Sequence, residues 1–303
     1  DKQIRDGILA LAAGFGTYAT LNMLVNIGNN RYRLIDFWTG TYRAATGSGT
    51  LNTLPISVTP YAVKFEKRLP VKILFLALFL ATIQYMFMLG TRTQFAIFLL
   101  IVILAALQFA YSEQGIAGVL KCIGIMAAIS LIAFLLYHFN VLSIRDYILS
   151  TNLAARYERR ASLENSDSFR FQSFWIGLRE LIQYPMGGRA SQIYRHNMWL
   201  DVGRVSGIIP FCLLLIYSIK NFANVTVIWK SKQILPSLRY LLLFLYIGAY
   251  VNCSVEPIWE GALNFFLALC VVDGMVSAMM RRLENDPNPE ESAPDTSKLH
   301  ADL

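Results

Sequence analysis

Long apolar runs, separated by short polar segments, follow one another along the chain as far as Met280. A helix needs roughly 20 mostly apolar residues to cross the hydrocarbon core of a bilayer. Runs of about that length occur at Gly7–Ile27, Pro70–Gly90, Gln94–Tyr111, Ile116–Phe139, Met198–Phe222, Pro236–Val251 and Ile258–Met280. The run Thr50–Phe65 is shorter and contains two prolines, so it is either a kinked span or a re-entrant segment, and we count it as a span. The runs lack the alternation of a membrane barrel, so the pattern predicts an all-α, polytopic transmembrane helical bundle of about eight spans.

The composition agrees with a membrane protein. Hydrophobic residues make up 55% of the 303 residues, charged residues 16%, and the mean hydropathy is +0.45. Such a chain has too little polar surface to cover a soluble globule. We expect a membrane-embedded domain at 1–283 and a disordered, Pro-rich, acidic cytoplasmic tail at 284–303. Because the chain opens at Asp1, without Met, just ahead of a span, we also expect further helices upstream.

Lysine and arginine gather in three segments, and such residues favour the cytoplasmic side of a membrane protein. The three clusters contain Lys64, Lys67, Arg68 and Lys72; Lys220, Lys230, Lys232 and Arg239; and Arg281 and Arg282. Placing all three in the cytoplasm agrees with the alternation of the helices. The segments that then face outward are Asn26–Gly49, Thr91–Thr93, Asn140–Asn197 and Asn252–Pro257.

The outward loop Asn140–Asn197 contains many arginines and no lysine. The arginines are Arg145, Arg156, Arg159, Arg160, Arg170, Arg179, Arg189 and Arg195. Basic residues on this side run against the topological bias, and the planar guanidinium suits multidentate binding of phosphate or carboxylate. The alternative is that these arginines contact lipid head groups or balance the acidic residues of the loop.

Part of this loop has the pattern of an amphipathic helix. From Arg170 onward, apolar residues recur at helical spacing on one face, and Pro185 with the glycines after it ends the pattern. We predict a helix that begins at Arg170 and lies on the outer leaflet with Trp175 at the interface. The N–H groups of a helix N-terminus would add to the charge of Arg170 and form a phosphate site. The alternative is that Arg170 only snorkels.

Two further residues stand at the outer membrane boundary. Arg92 lies in a short turn between two spans, where a charge is costly unless it is paired or faces a cavity. His196 lies where the outward loop joins the next span, and an imidazole with an ordinary pKa of about 6.5 suits a general base at neutral pH. A snorkelling arginine and a structural histidine are the alternatives.

Several short motifs follow one another in a set order. TRT at 91–93 is followed by RFQSFWIGL at 170–178, and then by HN at 196–197, which leads through a leucine and two glycines into a span. Upstream, RAATGSGT at 43–50 precedes the short run. This succession, from Tyr18 to Met280, resembles the O-antigen ligase and polymerase superfamily.

The resemblance implies a membrane glycosyltransferase of the metal-independent, GT-C-like class, without a cofactor. Members of the family transfer glycan from undecaprenyl diphosphate on the outer face of the bacterial cytoplasmic membrane. Arg92 and Arg170 would hold the diphosphate, and His196 would activate the acceptor hydroxyl. Residues that could support this site are Asn197, Arg195, Arg189 and Arg43. The expected partners are the lipid-linked glycan donor, a glycan or lipid-linked acceptor and membrane lipids, and no nucleic acid.

Alternatives remain open at this point. Ligases often carry an acidic residue after the HN pair, where this chain has Met198 and Trp199, so we slightly favour a polysaccharide polymerase over a ligase. A transporter or flippase for a lipid-linked sugar would also need arginines, but it would need charges along a route through the bundle as well. A non-catalytic scaffold does not account for the outward arginines.

Overall fold

The protein is described from a computed structural model that covers residues 1–27, 33–161 and 166–285. The helices are α1 Lys2–Val25, α2 Ala45–Thr50, α3 Thr53–Phe65, α4 Leu69–Leu89, α5 Arg92–His138, α6 Ile144–Ser150, α7 Asn152–Ala161, α8 Ser166–Gln183, α9 Met198–Ser206, α10 Ile208–Lys230, α11 Pro236–Val255, α12 Ile258–Gly261 and α13 Leu263–Asn285. A short antiparallel pair, β1 Arg33–Ile35 and β2 Tyr42–Ala44, lies between α1 and α2. The helix α13 includes the first two residues of the predicted tail 284–303, and the rest of that tail lies outside the described residues.

Within the described ranges, six helices are long and apolar enough to cross a membrane: α1, α4, α5, α10, α11 and α13. The expectation of a helical, membrane-embedded bundle is confirmed at this level. The count of eight spans stays a prediction, because it depends on how α3 and α5 are counted.

The helix α5 reverses direction at Gly115, which has φ 60° and ψ −143°. A positive φ of this kind favours glycine, which has no Cβ to clash. Residues that follow α5 contact the end of α4 that precedes it: Tyr147 donates to Gln84 at 2.9 Å and Asn152 donates to the Met88 carbonyl at 2.6 Å. Both ends of α5 therefore lie at one end of the bundle, and its two limbs correspond to the separate runs seen in the sequence.

The helix α3 is short but almost wholly buried. It has 13 residues, which at about 1.5 Å per residue reach only two thirds of the roughly 30 Å hydrocarbon core. The residues from Thr53 to Ala62 are buried except for Pro60, and α11, α4, α5 and α1 surround them. An interrupted helix at membrane depth is tolerated where protein covers it. The run Thr50–Phe65 is thus no ordinary span.

The predicted span Met198–Phe222 is wrong in its bounds. The helix is interrupted at Gly207, which has φ 95°. The helix α9 therefore ends at Ser206, and α10 runs from Ile208 to Lys230. A Cβ on Gly207 would lie 2.4 Å from the Pro185 carbonyl oxygen. The close approach of these two segments needs glycine, and it separates the loop-side helix α9 from the membrane helix α10.

Strands were not expected in the segment Asn26–Gly49, and the structure has the β1–β2 pair there. Asn26 holds the pair against α1, because its amide donates to the Ile35 carbonyl at 2.8 Å and accepts from the Ile35 N–H at 3.0 Å. Arg43 lies in β2 opposite Leu34. Its side chain is outside the described part of the chain, so its proposed supporting role stays a prediction.

The three basic clusters converge at one end of the bundle. Arg68 forms an ion pair with Asp6 of α1 at 2.8 Å, and Arg282 in the last turn of α13 pairs with Asp1 at 3.6 Å. The N–H of Leu235, close to Lys232 in the sequence, also donates to Asp1 at 3.4 Å. The hydrogen bond from the Arg68 guanidinium lowers the pKa of the neighbouring Glu66 carboxyl to about 2. This shared end agrees with the common cytoplasmic side predicted for the clusters.

Candidate functional site

At the opposite end of the bundle, a cavity of about 620 Å³ opens between three parts of the chain. Gly47 and Thr50 of α2 form one side, and Tyr194 of the loop before α9 forms another. The third side is the segment after α11, from Glu256 to Asn264. The cavity therefore collects residues from three segments that are distant in the sequence.

The wall formed by α2 depends on a glycine. A Cβ on Gly47 would lie 2.7 Å from the carbonyl oxygen of Gly261, closer than real Cβ atoms come to such an atom. The Gly/Thr-rich segment noted in the sequence thus has a packing reason. It lets the backbone of α2 touch the end of α12 directly.

The turn that holds Arg92 adjoins this cavity. α5 begins at Arg92, and the Thr93 hydroxyl donates to the carboxylate of Glu256, which lines the cavity. Arg156 of α7 donates to the Gly90 carbonyl at 2.8 Å, so a second arginine covers the same turn. Sequence reasoning grouped Arg156 with the other loop arginines and did not connect it with Arg92, because nothing in the pattern shows that α7 packs on α4.

Gln94, in the first turn of α5, is buried with 1% of its surface exposed. Within the described residues, neither atom of its amide has a hydrogen-bond partner. A buried amide in this state is costly unless a ligand or water supplies the missing contacts. Its position beside the helix N-terminus adds a polar group to the surroundings of Arg92.

His196 lies immediately before α9 in a strained backbone conformation. Its φ is 54°, a region that residues other than glycine rarely adopt, and its ring meets the ring of Tyr194 edge-to-face at 4.7 Å. Since Tyr194 lines the cavity, the histidine lies beside it. Asn197 has a structural role: it caps α9 by accepting from the Leu200 N–H at 3.1 Å and donates to the Ser254 carbonyl at 3.2 Å.

Arg195 and Arg189 both form ion pairs with Glu180 of α8. Arg195 makes a forked contact with this carboxylate at 2.8 to 3.1 Å, and Arg189 lies 3.5 Å from it. The guanidinium of Arg189 also lies 4.2 Å from the centre of the Tyr184 ring. These contacts hold the loop against α8, and both arginines are partly neutralised where they were expected to support substrate binding.

Arg204 is a buried residue that sequence reasoning missed. Its side chain is 1% exposed, forms an ion pair with Glu260 of the cavity wall, and lies 3.6 Å from Asp201. It also donates to three carbonyls of the loop, those of Arg189, Ala190 and Gln192. Burial raises the pKa of Asp201, against the lowering effect of the Arg195 N–H and of Arg204. Arg204 thus fastens the loop that carries Tyr194 and His196 to the cavity wall.

The prediction that Arg170 is the first residue of a helix is wrong. α8 begins at Ser166, so Arg170 is not the first residue of the helix and has no place among the N–H groups of its N-terminus. The side chain of Arg170 lies outside the described residues. The helix itself is present, with Ser173, Glu180 and Leu181 buried. The predicted apolar face is largely exposed at Phe171 and Trp175, and its position on the outer leaflet stays a prediction.

Comparisons of the chain with protein families, with characterised proteins and with solved structures found no match. The resemblance noted in the motifs therefore stays a hypothesis.

Proposed function

We propose that this protein is a membrane glycosyltransferase that transfers glycan from undecaprenyl diphosphate to an acceptor hydroxyl during assembly of a cell-surface polysaccharide. The observation that carries the proposal is that Arg92 and His196 are each one contact away from the same cavity. Thr93, next to Arg92, bonds to Glu256, and His196 packs on Tyr194, and both Glu256 and Tyr194 line the cavity. In this proposal the site faces outward from a bacterial cytoplasmic membrane.

The start of α5 is the proposed diphosphate position. The first N–H groups of a helix have no partner within the helix and carry a partial positive charge, which favours an anion. Arg92 adds a full charge and a planar fork at this point. Of the nearby carboxylates, Glu260 is paired with Arg204, which reduces its repulsion of a phosphate, and Glu256 accepts from the Thr93 hydroxyl.

His196 is the proposed base for the acceptor. The acceptor oxygen attacks the anomeric carbon, the bond from that carbon to the diphosphate oxygen breaks, and its electron pair leaves with the diphosphate. The hydroxyl proton passes to His196. A positioned base contributes about 10²- to 10⁴-fold to such a step, and Arg92 stabilises the charge that develops on the leaving group.

The aromatic ring of Tyr194 gives the cavity a face on which a sugar ring can pack, and the engaged carboxylates leave polar atoms along the opposite wall. This combination fits a glycan better than a wholly apolar ligand. It does not distinguish polymerisation from ligation, and the weak preference for a polymerase continues to depend on Met198 and Trp199 after the HN pair.

The experiment that tests the proposal compares membranes with and without the protein. Loss of a polymerase leaves single lipid-linked repeats, and loss of a ligase leaves full-length lipid-linked polymer. An unchanged pool of lipid-linked glycan would contradict the proposal.

One observation bears on the alternative of a transporter. Asp273 is buried in the middle of α13, and acidic residues inside a span often mark an ion route. Both of its oxygens accept hydrogen bonds, from Tyr217 of α10 and Tyr246 of α11. If Asp273→Asn abolished movement of a lipid-linked sugar in vesicles while Arg92→Lys had no effect, the transporter would be favoured.

A further inference from the structure

A second cavity, also of about 620 Å³, runs along the surface between α1 and α13. On α1 it follows Gly7, Ala10 and Gly14, and on α13 it follows Val271 and Met275. These positions carry small or apolar side chains. From Gly7 to Tyr18 at its far end, the groove covers 11 residues of helix, or about 16 Å at 1.5 Å per residue.

The small residues of α1 keep the groove open. A Cβ placed on Gly14 would meet no atom within 4 Å, and one placed on Gly7 would meet only the flexible end of Met275. Ala10, Gly14 and Val271 are exposed, so the groove is open at its side, between two helices that are long and apolar enough to cross a membrane. A long chain could therefore enter from the bilayer without threading through the bundle.

The groove adjoins the polar cavity of the candidate site at one residue. Asn264, at the start of α13, lines both. The cavity on one side of Asn264 is polar and holds Glu256, Glu260 and Tyr194, while the groove on its other side is apolar and follows α1 and α13. A ligand that fills both must have a polar head and a long hydrocarbon chain.

We propose that the groove between α1 and α13 binds the isoprenoid chain of the lipid-linked donor and thereby fixes its sugar in the polar cavity, with its diphosphate beside the start of α5. This inference rests on the proposed function and adds where the lipid lies. Because the chain enters from a bilayer that is itself apolar, the gain in donor affinity comes from van der Waals packing against α1 and α13 and not from removal of hydrocarbon from water. The chain also positions the reacting carbon, because it restricts how the head can turn.

Gly14→Leu tests the groove by filling it. The matched control is Gly124→Leu on the second limb of α5, where an added Cβ also meets nothing within 4 Å and the position is exposed. Each purified protein is assayed with a long-chain donor and with a donor that carries the same sugar on a short isoprenoid. We expect Gly14→Leu to raise KM for the long-chain donor about tenfold and leave KM for the short-chain donor unchanged. The control should match wild type with both donors.

A second measurement does not depend on catalysis. A sugar-free isoprenyl diphosphate with a photoreactive group on its chain should label peptides of α1 and α13, and Gly14→Leu should reduce that labelling. Labelling in the groove without any glycan transfer would overturn the proposed function and keep the lipid site. If Gly14→Leu fails to fold, Val271→Phe fills the groove from the opposite wall.

Three outcomes would overturn the inference. The first is labelling confined to other surfaces, such as the second limb of α5. The second is equal competition by ordinary phospholipid, which would make the groove a general lipid surface. The third is protection of the groove by another protein helix, so that the probe does not reach it in the native membrane.

Discussion

Thr93, in the first turn of α5, donates a hydrogen bond to Glu256, the residue that ends α11. The contact joins a helix N-terminus to a carboxylate, an arrangement that the helix dipole favours. It also fixes the Arg92 turn to the wall of the cavity. Glu256 is 1% exposed, so its charge depends on these contacts for stabilisation.

Two substitutions of Thr93 distinguish the contribution of its hydrogen bond to stability from the contribution of its packing. Thr93→Val keeps the shape but leaves the buried Glu256 without this donor, and we expect a loss of stability of about 1 to 3 kcal/mol. Thr93→Ser keeps the hydroxyl and should stay closer to wild type. Thermal unfolding of the proteins in one detergent measures the difference. Equal midpoints for the two variants would show that the hydrogen bond contributes little.

Arg92→Lys should reduce glycan transfer at least about tenfold, mainly through KM for the donor, since lysine keeps the charge but loses the planar fork. The matched control is Arg145→Lys, an exposed arginine at α6 whose nearest acidic partner is 4.0 Å away. That variant should transfer at the wild-type rate. Full activity in Arg92→Lys and Arg92→Ala alike would remove Arg92 from the site.

His196 occupies a left-handed backbone conformation, so two substitutions are needed. His196→Ala removes the imidazole and strains the backbone, whereas asparagine tolerates positive φ and cannot act as a base. We expect both to lower kcat by about 10² while KM for the donor changes little. Transfer by His196→Asn at a rate close to wild type would show that no base acts at this position.

The low pKa of Glu66 predicts how the stability of the protein changes in acid. Its pKa of about 2 lies below the ordinary value of about 4.3, so the folded state holds its proton less tightly than the unfolded state. Its contribution to stability is therefore present above about pH 4.3 and is lost as the pH falls towards 2. Unfolding midpoints at a series of pH values should fall more steeply for wild type than for Glu66→Gln. Parallel curves would contradict the assignment.

The orientation can be tested with single cysteines in a variant without its four native cysteines. Met186, which is 85% exposed in the loop after α8, should react as cysteine with an impermeant thiol reagent in intact spheroplasts. Lys232, at the basic end, should react only after the membrane is opened. The reverse pattern would invert the topology and place the cavity in the cytoplasm.

Much of the helical bundle follows from the length of the apolar runs. A run such as Pro236–Val251 forms a helix in a bilayer, because its backbone N–H and C=O groups have no water to bond there. The break at Gly115 was also visible, because polar residues interrupt the apolar pattern there. The break at Gly207 was not, since its cause is a contact with Pro185, which is remote in sequence.

The residues of the candidate site also fall into two groups, those that the sequence predicted and those that it did not. Arg92 and His196 were found because a charge and an imidazole at the membrane boundary need an explanation. Glu256, Glu260 and Arg204 were missed, since their roles come from tertiary contacts between α5, α9 and α12. Single positions in an apolar sequence carry no sign of such contacts.

The contact of Gly47 with the Gly261 carbonyl gives the cavity one wall that cannot adapt. Two backbones set the distance there, so no change of rotamer can widen it. Another wall is formed by the side chain of Tyr194, which is 36% exposed. Tyr194 would then be the residue that discriminates between glycans of different size. A broadened substrate range should be sought by varying Tyr194, because substitutions at Gly47 would disturb the frame before they altered selectivity.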